Sequence, residues 1–226
     1  ALIYTQNAAG SVFWGDRLHT DLHLEDDASV CISTPSATRI QGNGLAAQTT
    51  HIKLGRGAFI ESIPDMIIAH PKAVYRQETH IDLAEGAEAI LGESIAPGRV
   101  ARGEEYVYDA VSLRLEASFN GQPVLVDAST FRPGEASPAL IGALGQAGYI
   151  GYLVILSQKE ELATKISARL EELKMVYGGA AALASGCGAI VRFLADDAPA
   201  LRNAMQSVWA IARHHVRGRP APTLRK

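Results

Sequence analysis

One pentapeptide pattern occurs three times in this chain, as Thr20-Asp-Leu-His-Leu24, Thr50-His-Ile-Lys-Leu54 and Thr79-His-Ile-Asp-Leu83. A short polar turn and then an alanine follow each copy, and successive copies are 30 and 29 residues apart. A repeat of this period is typical of stacked supersecondary units, which bury their apolar faces only against one another. The stretch from residue 16 to residue 99 therefore predicts a stacked architecture.

Apolar side chains alternate within each unit, as Leu22 and Leu24 do in the first and Ile52 and Leu54 in the second. Alternation that is interrupted by a polar or glycine turn predicts two strands with one face directed inward. We therefore expect a mainly β fold, with a stacked β-helix-like or β-solenoid body over residues 1–133. Within it, Asn120-Gly121 predicts a type I′ turn between two strands of a hairpin.

The pattern changes after residue 133. A Gly/Ala/Pro-rich link is expected over residues 134–148, followed by a C-terminal α/β segment over 149–226 that packs on the body. Strand, helix, strand and helix are expected in that order, so the segment contains two helices. Ser157 and Glu160 form a capping-box pattern that predicts a first helix running to Tyr177, and Asp196 and Asp197 offer caps for the second.

Composition excludes several classes of protein. The chain has 226 residues, a formal net charge of -3 and 47% hydrophobic residues, which argues against disorder and against a general nucleic-acid binder. No apolar run is long enough to predict a membrane span. Cys31 and Cys187 lack the spacing of a disulfide framework or a zinc site, so we expect a cytoplasmic protein. Because the chain begins with Ala1, we also expect its N-terminus to be truncated.

Two histidines occupy equivalent positions in neighbouring repeats. His51 and His80 each follow the threonine of the pentapeptide, so they can stack on one face and share a metal ion. Their neighbours Ile52 and Ile81 take the inward positions, however. This alternation favours histidines that point outward and do not bind metal.

Three acids stand where the sequence suggests burial: Asp16, Glu93 and Asp127. A buried carboxylate is costly unless it is paired, hydrogen-bonded or bound to a cation. One interpretation is a turn or cap acid paired with a nearby arginine such as Arg17 or Arg99. The other is a functional acid, and the residues alone leave both open.

An ordered set of short motifs resembles the urease accessory proteins called UreD or UreH. The set comprises Gly15-Asp16-Arg17-Leu18, Thr34-Pro-Ser-Ala-Thr38-Arg39, Ile63-Pro64-Asp65, Gly98-Arg99 with Gly103-Glu104, and Pro123-Val-Leu-Val-Asp127. Their order and spacing agree along nearly the whole chain. No single motif is specific, and Phe13-Trp14 departs from the small or aliphatic residues usual in that family.

The resemblance implies a β-helical fold with two C-terminal helices and a scaffold or chaperone that is not an enzyme. The partners would be urease apoprotein and a UreF-type accessory protein, which recruits a UreG-type GTPase. No cofactor would be tightly bound, and nickel would be present only in transit. Carried over by position, the residues of an internal nickel passage would be Asp16, Thr38, Glu93 and Asp127, with Glu104 as a further candidate.

Two other functions are compatible with the residues. A β-solenoid enzyme, either a hydrolase or an acyltransferase, would use Asp16, Glu93 and Asp127 in one cleft. A purely structural β-solenoid would hold all its acids in ion pairs. The chain contains no nucleophile elbow, P-loop or zincin motif that would favour an enzyme.

Overall fold

The computed structural model describes residues 1–136, 147–173 and 176–224, and these residues form seventeen strands and two α-helices. The body contains β1 (Leu2–Tyr4), β2 (Val12–Phe13), β3 (Arg17–Leu24), β4 (Ser29–Ser33), β5 (Thr38–Gln41), β6 (Leu45–Leu54), β7 (Phe59–Ser62), β8 (Ile67–Ala69), β9 (Val74–Leu83), β10 (Glu88–Ile95), β11 (Gly98–Arg99), a 3-10 turn (Val100–Arg102), β12 (Glu104–Glu105), β13 (Ala110–Phe119) and β14 (Gln122–Phe131). The C-terminal segment contains β15 (Tyr149–Leu156), α1 (Leu162–Glu172), β16 (Val176–Ala182), β17 (Gly188–Ala195) and α2 (Ala198–Arg217).

Two large sheets build the molecule. A ten-stranded sheet follows the order β1-β4-β7-β10-β15-β17-β16, and β2, β5 and β8 join it through β10. A five-stranded sheet has the order β14-β13-β9-β6-β3, and β11 pairs with β12 separately. The expectation of a mainly β, solenoid-like stack with two late helices is confirmed.

The three pentapeptides lie side by side in parallel strands. Thr50 pairs with both Thr20 and Thr79, and Leu54 pairs in the same way with its two counterparts, so the repeats are in register. The turn after each repeat contains one residue with positive φ, namely Asp27, Gly57 or Gly86. Glycine and aspartate tolerate this left-handed backbone conformation, which accounts for the polar turn of each unit.

The predicted hairpin is also present. Strands β13 and β14 pair antiparallel, and Asn120 and Gly121 between them have φ values of 48° and 74°. Positive φ at both central residues defines the type I′ turn, whose twist matches that of the flanking strands.

The C-terminal segment continues the larger sheet. β15 pairs antiparallel with β10, and β17 pairs with β15 along its whole length. Both helices cover the outer face of this sheet, where Trp209, Phe193, Phe59 and Leu153 share one apolar cluster. Residues 137–146 of the expected link lie outside the described residues.

Two local predictions about this segment are wrong. The first helix ends at Glu172 instead of continuing to Tyr177, because residues 176–182 form β16 at the sheet edge. The capping box is absent, since the Ser157 hydroxyl donates to Glu88 Oε1 at 2.7 Å and the residue before the helix makes no side-chain cap. The cap of α2 is confirmed, since the Ala200 N–H donates to Asp197 Oδ1 at 2.7 Å.

A buried acid anchors α2 to the sheet. Glu61 on β7 is 1% exposed, and the Trp209 indole N–H donates to its Oε1 at 2.7 Å. Arg213, one turn further along the helix, is in ion-pair contact with the same carboxylate. Removing one partner of a buried pair leaves an uncompensated charge, so this contact fixes the helix in place.

We expect Arg213→Met to lower the free energy of unfolding by about 3–5 kcal/mol, because Glu61 then stays buried without a cation. The double variant Glu61→Gln/Arg213→Met should recover most of this loss. Arg56→Met is the control, since Arg56 and Asp26 form an exposed pair that contributes little. Urea denaturation measures all three, and equal stability of the Arg213 and Arg56 variants would contradict the assignment.

Candidate functional site

A cavity of about 500 Å³ lies between the two sheets. The five-stranded sheet contributes Gln48, Thr50, Gln77 and Thr79 to its wall, and the ten-stranded sheet contributes a second polar set: Ser33, Ser62, Glu93 and Tyr152. The exposed residues Gln6 and Arg17 also line it, so the cavity reaches the surface beside β3.

The repeats themselves place this cavity. Along β6 the inward positions are Gln48, Thr50, Ile52 and Leu54, and β9 has the same series of a glutamine, a threonine and two aliphatic residues. The aliphatic ends pack together in an apolar cluster with Leu91. The polar ends have no such cluster to join, and the cavity lies along them.

Glu93 is the acid at the inner wall. In β10, Ala89, Leu91 and Glu93 alternate onto the face that looks toward the five-stranded sheet, and the first two belong to the apolar cluster. Glu93 lies deep inside the protein but keeps some accessible surface, because it lines the cavity. The Gln77 side-chain amide donates to its Oε1 at 2.6 Å.

Burial raises the pKa of Glu93 to about 7, and the hydrogen bond from Gln77 opposes this shift only in part. Loss of hydration disfavours the charged form of a carboxyl group. Among the described residues, no arginine or lysine offsets this effect at Glu93. Near neutral pH this carboxyl group therefore exists in both protonation states.

Buried polar groups hold Gln77 in place. The Tyr75 hydroxyl lies 3.0 Å from Gln77 Oε1 and 3.1 Å from Gln48 Oε1. Burial, with a smaller effect of Glu93, raises the pKa of Tyr75 and of Tyr152 above the usual range, so both phenols stay protonated. The chain of hydrogen bonds fixes the orientation of the amide that donates to Glu93.

The structure brings only two of the five residues of the expected passage into this cavity. Thr38, on β5, lines it together with Glu93. Asp16 is half-buried and accepts a hydrogen bond from the Phe13 N–H at 2.8 Å, as a turn acid does. Glu104 forms a bidentate pair with Arg99 at 2.6 and 2.7 Å, outside the cavity.

Asp127 lies beyond the inner wall. Its carboxylate pairs with Arg192, and its side chain is 14% exposed. In the sheet, Tyr152 lies opposite Glu93 on one neighbouring strand and opposite Arg192 on the other. Burial raises the pKa of Tyr152, and the negative charges of Glu93 and Asp127 add to this effect. Tyr152 therefore stands between the cavity and the pair of Asp127 with Arg192.

Asp65 is a cavity acid to which sequence reasoning assigned no role. It lines the cavity, and its Oδ1 accepts from the Met66 N–H at 2.8 Å and from Arg202 at 3.4 Å. One feature of the sequence could have pointed to this acid. Asp65 is a charged residue within the apolar run from Ile63 to Pro71, which otherwise packs into the body. Its partner Arg202 is 137 residues away in sequence, which no local pattern reveals.

The histidines stack as the repeat predicts, and they point outward. The ring centroids of His51 and His80 are 4.9 Å apart, and His19 extends the row at 5.1 Å from His51. His80 Nδ1 lies 3.1 Å from Glu116 Oε2 at the surface. Across the described residues, no group of three or more His, Cys, Asp or Glu side chains is arranged to hold a metal ion.

The fold and the site define a β-solenoid-like protein whose two sheets enclose a polar cavity with buried acids. Among the described residues, no helix is long and apolar enough to cross a membrane. Comparison with known proteins specifies the family.

The model of the UreD urease accessory protein family matches residues 1–226. The chain is 32% identical to urease accessory protein UreD of Haloarcula marismortui over 99% of its own length and 76% of the relative. It is 31% identical to UreD of Actinomyces naeslundii, over 99% and 83% of the two chains. It is 29% identical to UreD of Cenarchaeum symbiosum, over 100% and 81%. The chain belongs to the UreD family of urease accessory proteins.

The raised pKa of Glu93 predicts a pH-dependent stability. The folded state binds the proton of Glu93 more tightly than the unfolded state does. The resulting contribution to the free energy of unfolding is therefore fully present below about pH 4 and is lost as the pH rises through 7. Relative to Glu93→Gln, the free energy of unfolding of the wild type should fall by about 3 kcal/mol between about pH 4 and about pH 8.

Urea denaturation across this pH range measures the difference. The exposed Glu25→Gln is the matched control, because it removes the same charge at the surface. A constant difference between the wild type and Glu93→Gln at all pH values would contradict the burial of an ionisable group at this position.

Proposed function

We propose that this protein is a scaffold in urease maturation that binds urease apoprotein and a UreF-type accessory protein, with a UreG-type GTPase joining through the latter. Nickel is the cargo, and it crosses the protein through the cavity between the two sheets. Family membership supports a role in urease maturation. The buried Glu93 in a polar cavity that reaches the surface supports the route for the cation.

The cavity wall has the chemistry that a divalent cation in transit requires. Glu93 supplies a carboxylate, and Thr50, Thr79 and Gln48 supply neutral oxygens along the way. Asp65 also lines the cavity, but its carboxylate is paired with Arg202. Oxygen ligands with little net negative charge hold a divalent ion weakly enough to release it. A cation beside Glu93 would displace its proton, so uptake and release of nickel are linked to the movement of one proton.

The passage would begin at the mouth beside β3 and reach Glu93 past Thr38. To continue to Asp127, the ion would have to pass Tyr152 and the ion pair with Arg192. In this proposal Asp16 and Glu104 have structural roles, because each already has a partner outside the cavity.

An enzymatic role is less well supported by the same geometry. A hydrolase requires two carboxylates in one cleft, one of them protonated and the other ionised. Of the three acids considered from sequence, only Glu93 lines the cavity. Asp65 lines it as well, but its carboxylate is already held by the Met66 N–H and by Arg202. It does not contribute to the raised pKa of Glu93. Asp127 is held by Arg192, and Asp16 lies in a turn.

A plugged cavity tests the route. Thr50→Phe places a bulky ring in the cavity, whereas Thr49→Phe makes the same change on the opposite face of the same strand. Both variants should co-purify with urease apoprotein and the UreF-type protein. After addition of the GTPase, nickel and bicarbonate, Thr50→Phe should yield urease with at least about tenfold less nickel and activity, as expected for a blocked path.

Nickel content is measured by elemental analysis of the repurified urease. Equal loading by the two variants would refute the route through the cavity and leave only the scaffold. A failure of the wild type to assemble with its partners would refute the scaffold as well.

A charge-removing variant tests Glu93 itself. Glu93→Gln retains an acceptor for the Gln77 amide, so the fold and the assembly should persist while the rate of nickel transfer falls about tenfold or more. Glu104→Gln is the matched control outside the cavity. Transfer rates follow from the appearance of urease activity, and equal rates for the two variants would contradict a role for Glu93.

A further inference from the structure

A second pocket, of about 580 Å³, opens at the surface where β5, β8, β11 and the start of α2 meet. Four arginines from four different elements line it: Arg39, Arg99, Arg102 and Arg202. They come from β5, β11, the 3-10 turn and α2. Arg99 and Arg102 are neighbours in sequence, whereas Arg39 and Arg202 come from distant parts of the chain.

The positive charge of this pocket is only partly neutralised. Glu104 binds Arg99 through two hydrogen bonds, and Asp65 accepts from Arg202 at 3.4 Å. In the part of the chain that the structure describes, neither Arg39 nor Arg102 forms an ion pair with a carboxylate. Both residues are exposed, so the pocket presents two solvated guanidinium groups with no carboxylate partner among the described residues.

A histidine in the pocket wall has an unused polar atom. His70 Nε2 is buried and has no hydrogen-bond partner within the described residues. Burial lowers the pKa of His70. The positive charges of three arginines of the pocket lower it further, and the negative charge of Glu104 opposes the shift. The neutral ring can present an N–H donor at this nitrogen, and a buried donor without an acceptor is a costly arrangement in a protein that binds nothing there.

We propose that this pocket binds a small oxyanion of the carboxylate, bicarbonate or phosphate class. The planar fork of arginine matches the oxygen pairs of such ions, and hydrogen bonds between ionised partners are the strong ones. An oxyanion here would supply the counterion that Arg39 and Arg102 lack and an acceptor for His70. A halide is a single atom and cannot accept from both arms of the fork in this way, so the geometry favours oxyanions over chloride.

This site differs from the proposed nickel route, although Asp65 lies in the wall of both. Neither Glu93 nor any of the repeat threonines lines it, and its ligand carries the opposite charge. Binding to the isolated chain can be measured without urease or nickel, so the result does not depend on the proposed function.

The test is an NMR titration of the full chain at constant ionic strength. Inorganic phosphate, bicarbonate and acetate are added separately, with chloride as the reference, and the imidazole resonances of His70 are followed after assignment with His70→Asn. We expect saturable shifts with at least one oxyanion and none with chloride. Arg39→Gln/Arg102→Gln should weaken binding at least about tenfold.

The matched control is Arg76→Gln, which removes one exposed arginine charge outside the pocket and should leave affinity unchanged. Thermal unfolding of each variant establishes that it is folded. Equal shifts with chloride and with the oxyanions, or affinity that the Arg39 and Arg102 changes leave intact, would overturn the proposal. So would an absence of oxyanion binding combined with loss of assembly in the double variant, because the pocket would then receive an acidic protein segment.

Discussion

The in-register stacking of β3, β6 and β9 is the constraint on which the rest of the structure depends. Thr20, Thr50 and Thr79 lie side by side, and so do the leucines that end each repeat. A slip of one residue would exchange the inward and outward faces and expose every aliphatic side chain of the core. The inward aliphatic side chains fix the register, and the register in turn aligns the polar side chains that border the cavity.

The cavity is therefore a consequence of where the inward positions change from aliphatic to polar. A void with polar walls of this size has room and partners for water, whereas an aliphatic void would stay dry. Glu93 lies in such surroundings, with one amide donor and no cationic partner in the part of the chain that the structure describes. Burial without a counterion is what gives this carboxyl group its raised pKa.

The sequence predicts much of the body because its signals are local. Alternation, the turn residues and the repeat period were sufficient for the stack, the hairpin and the row of histidines. The threonines at the start of each repeat also followed the inward alternation, and with Gln48 and Gln77 they could have indicated the cavity. Strand β16 was missed because Gly178 and Gly179 are typical of a helix end, although here they lie in an exposed edge strand.

The contacts that decide the role of each acid are long-range, and local patterns do not contain them. Ser157 was assigned to a cap, but its partner is Glu88, 69 residues away. Asp127 has its partner Arg192 at a distance of 65 residues. The resemblance to UreD proteins selected five passage residues by position, and only the fold separates those in the cavity from those outside it.

The most direct test of the account is anomalous diffraction at the nickel absorption edge from crystals of the protein soaked in a nickel salt. The account predicts a peak in the cavity within coordination distance of a Glu93 oxygen, about 2 Å, and its loss in Glu93→Gln crystals. Peaks confined to the surface histidines, with an empty cavity at a pH where Glu93 is ionised, would contradict it.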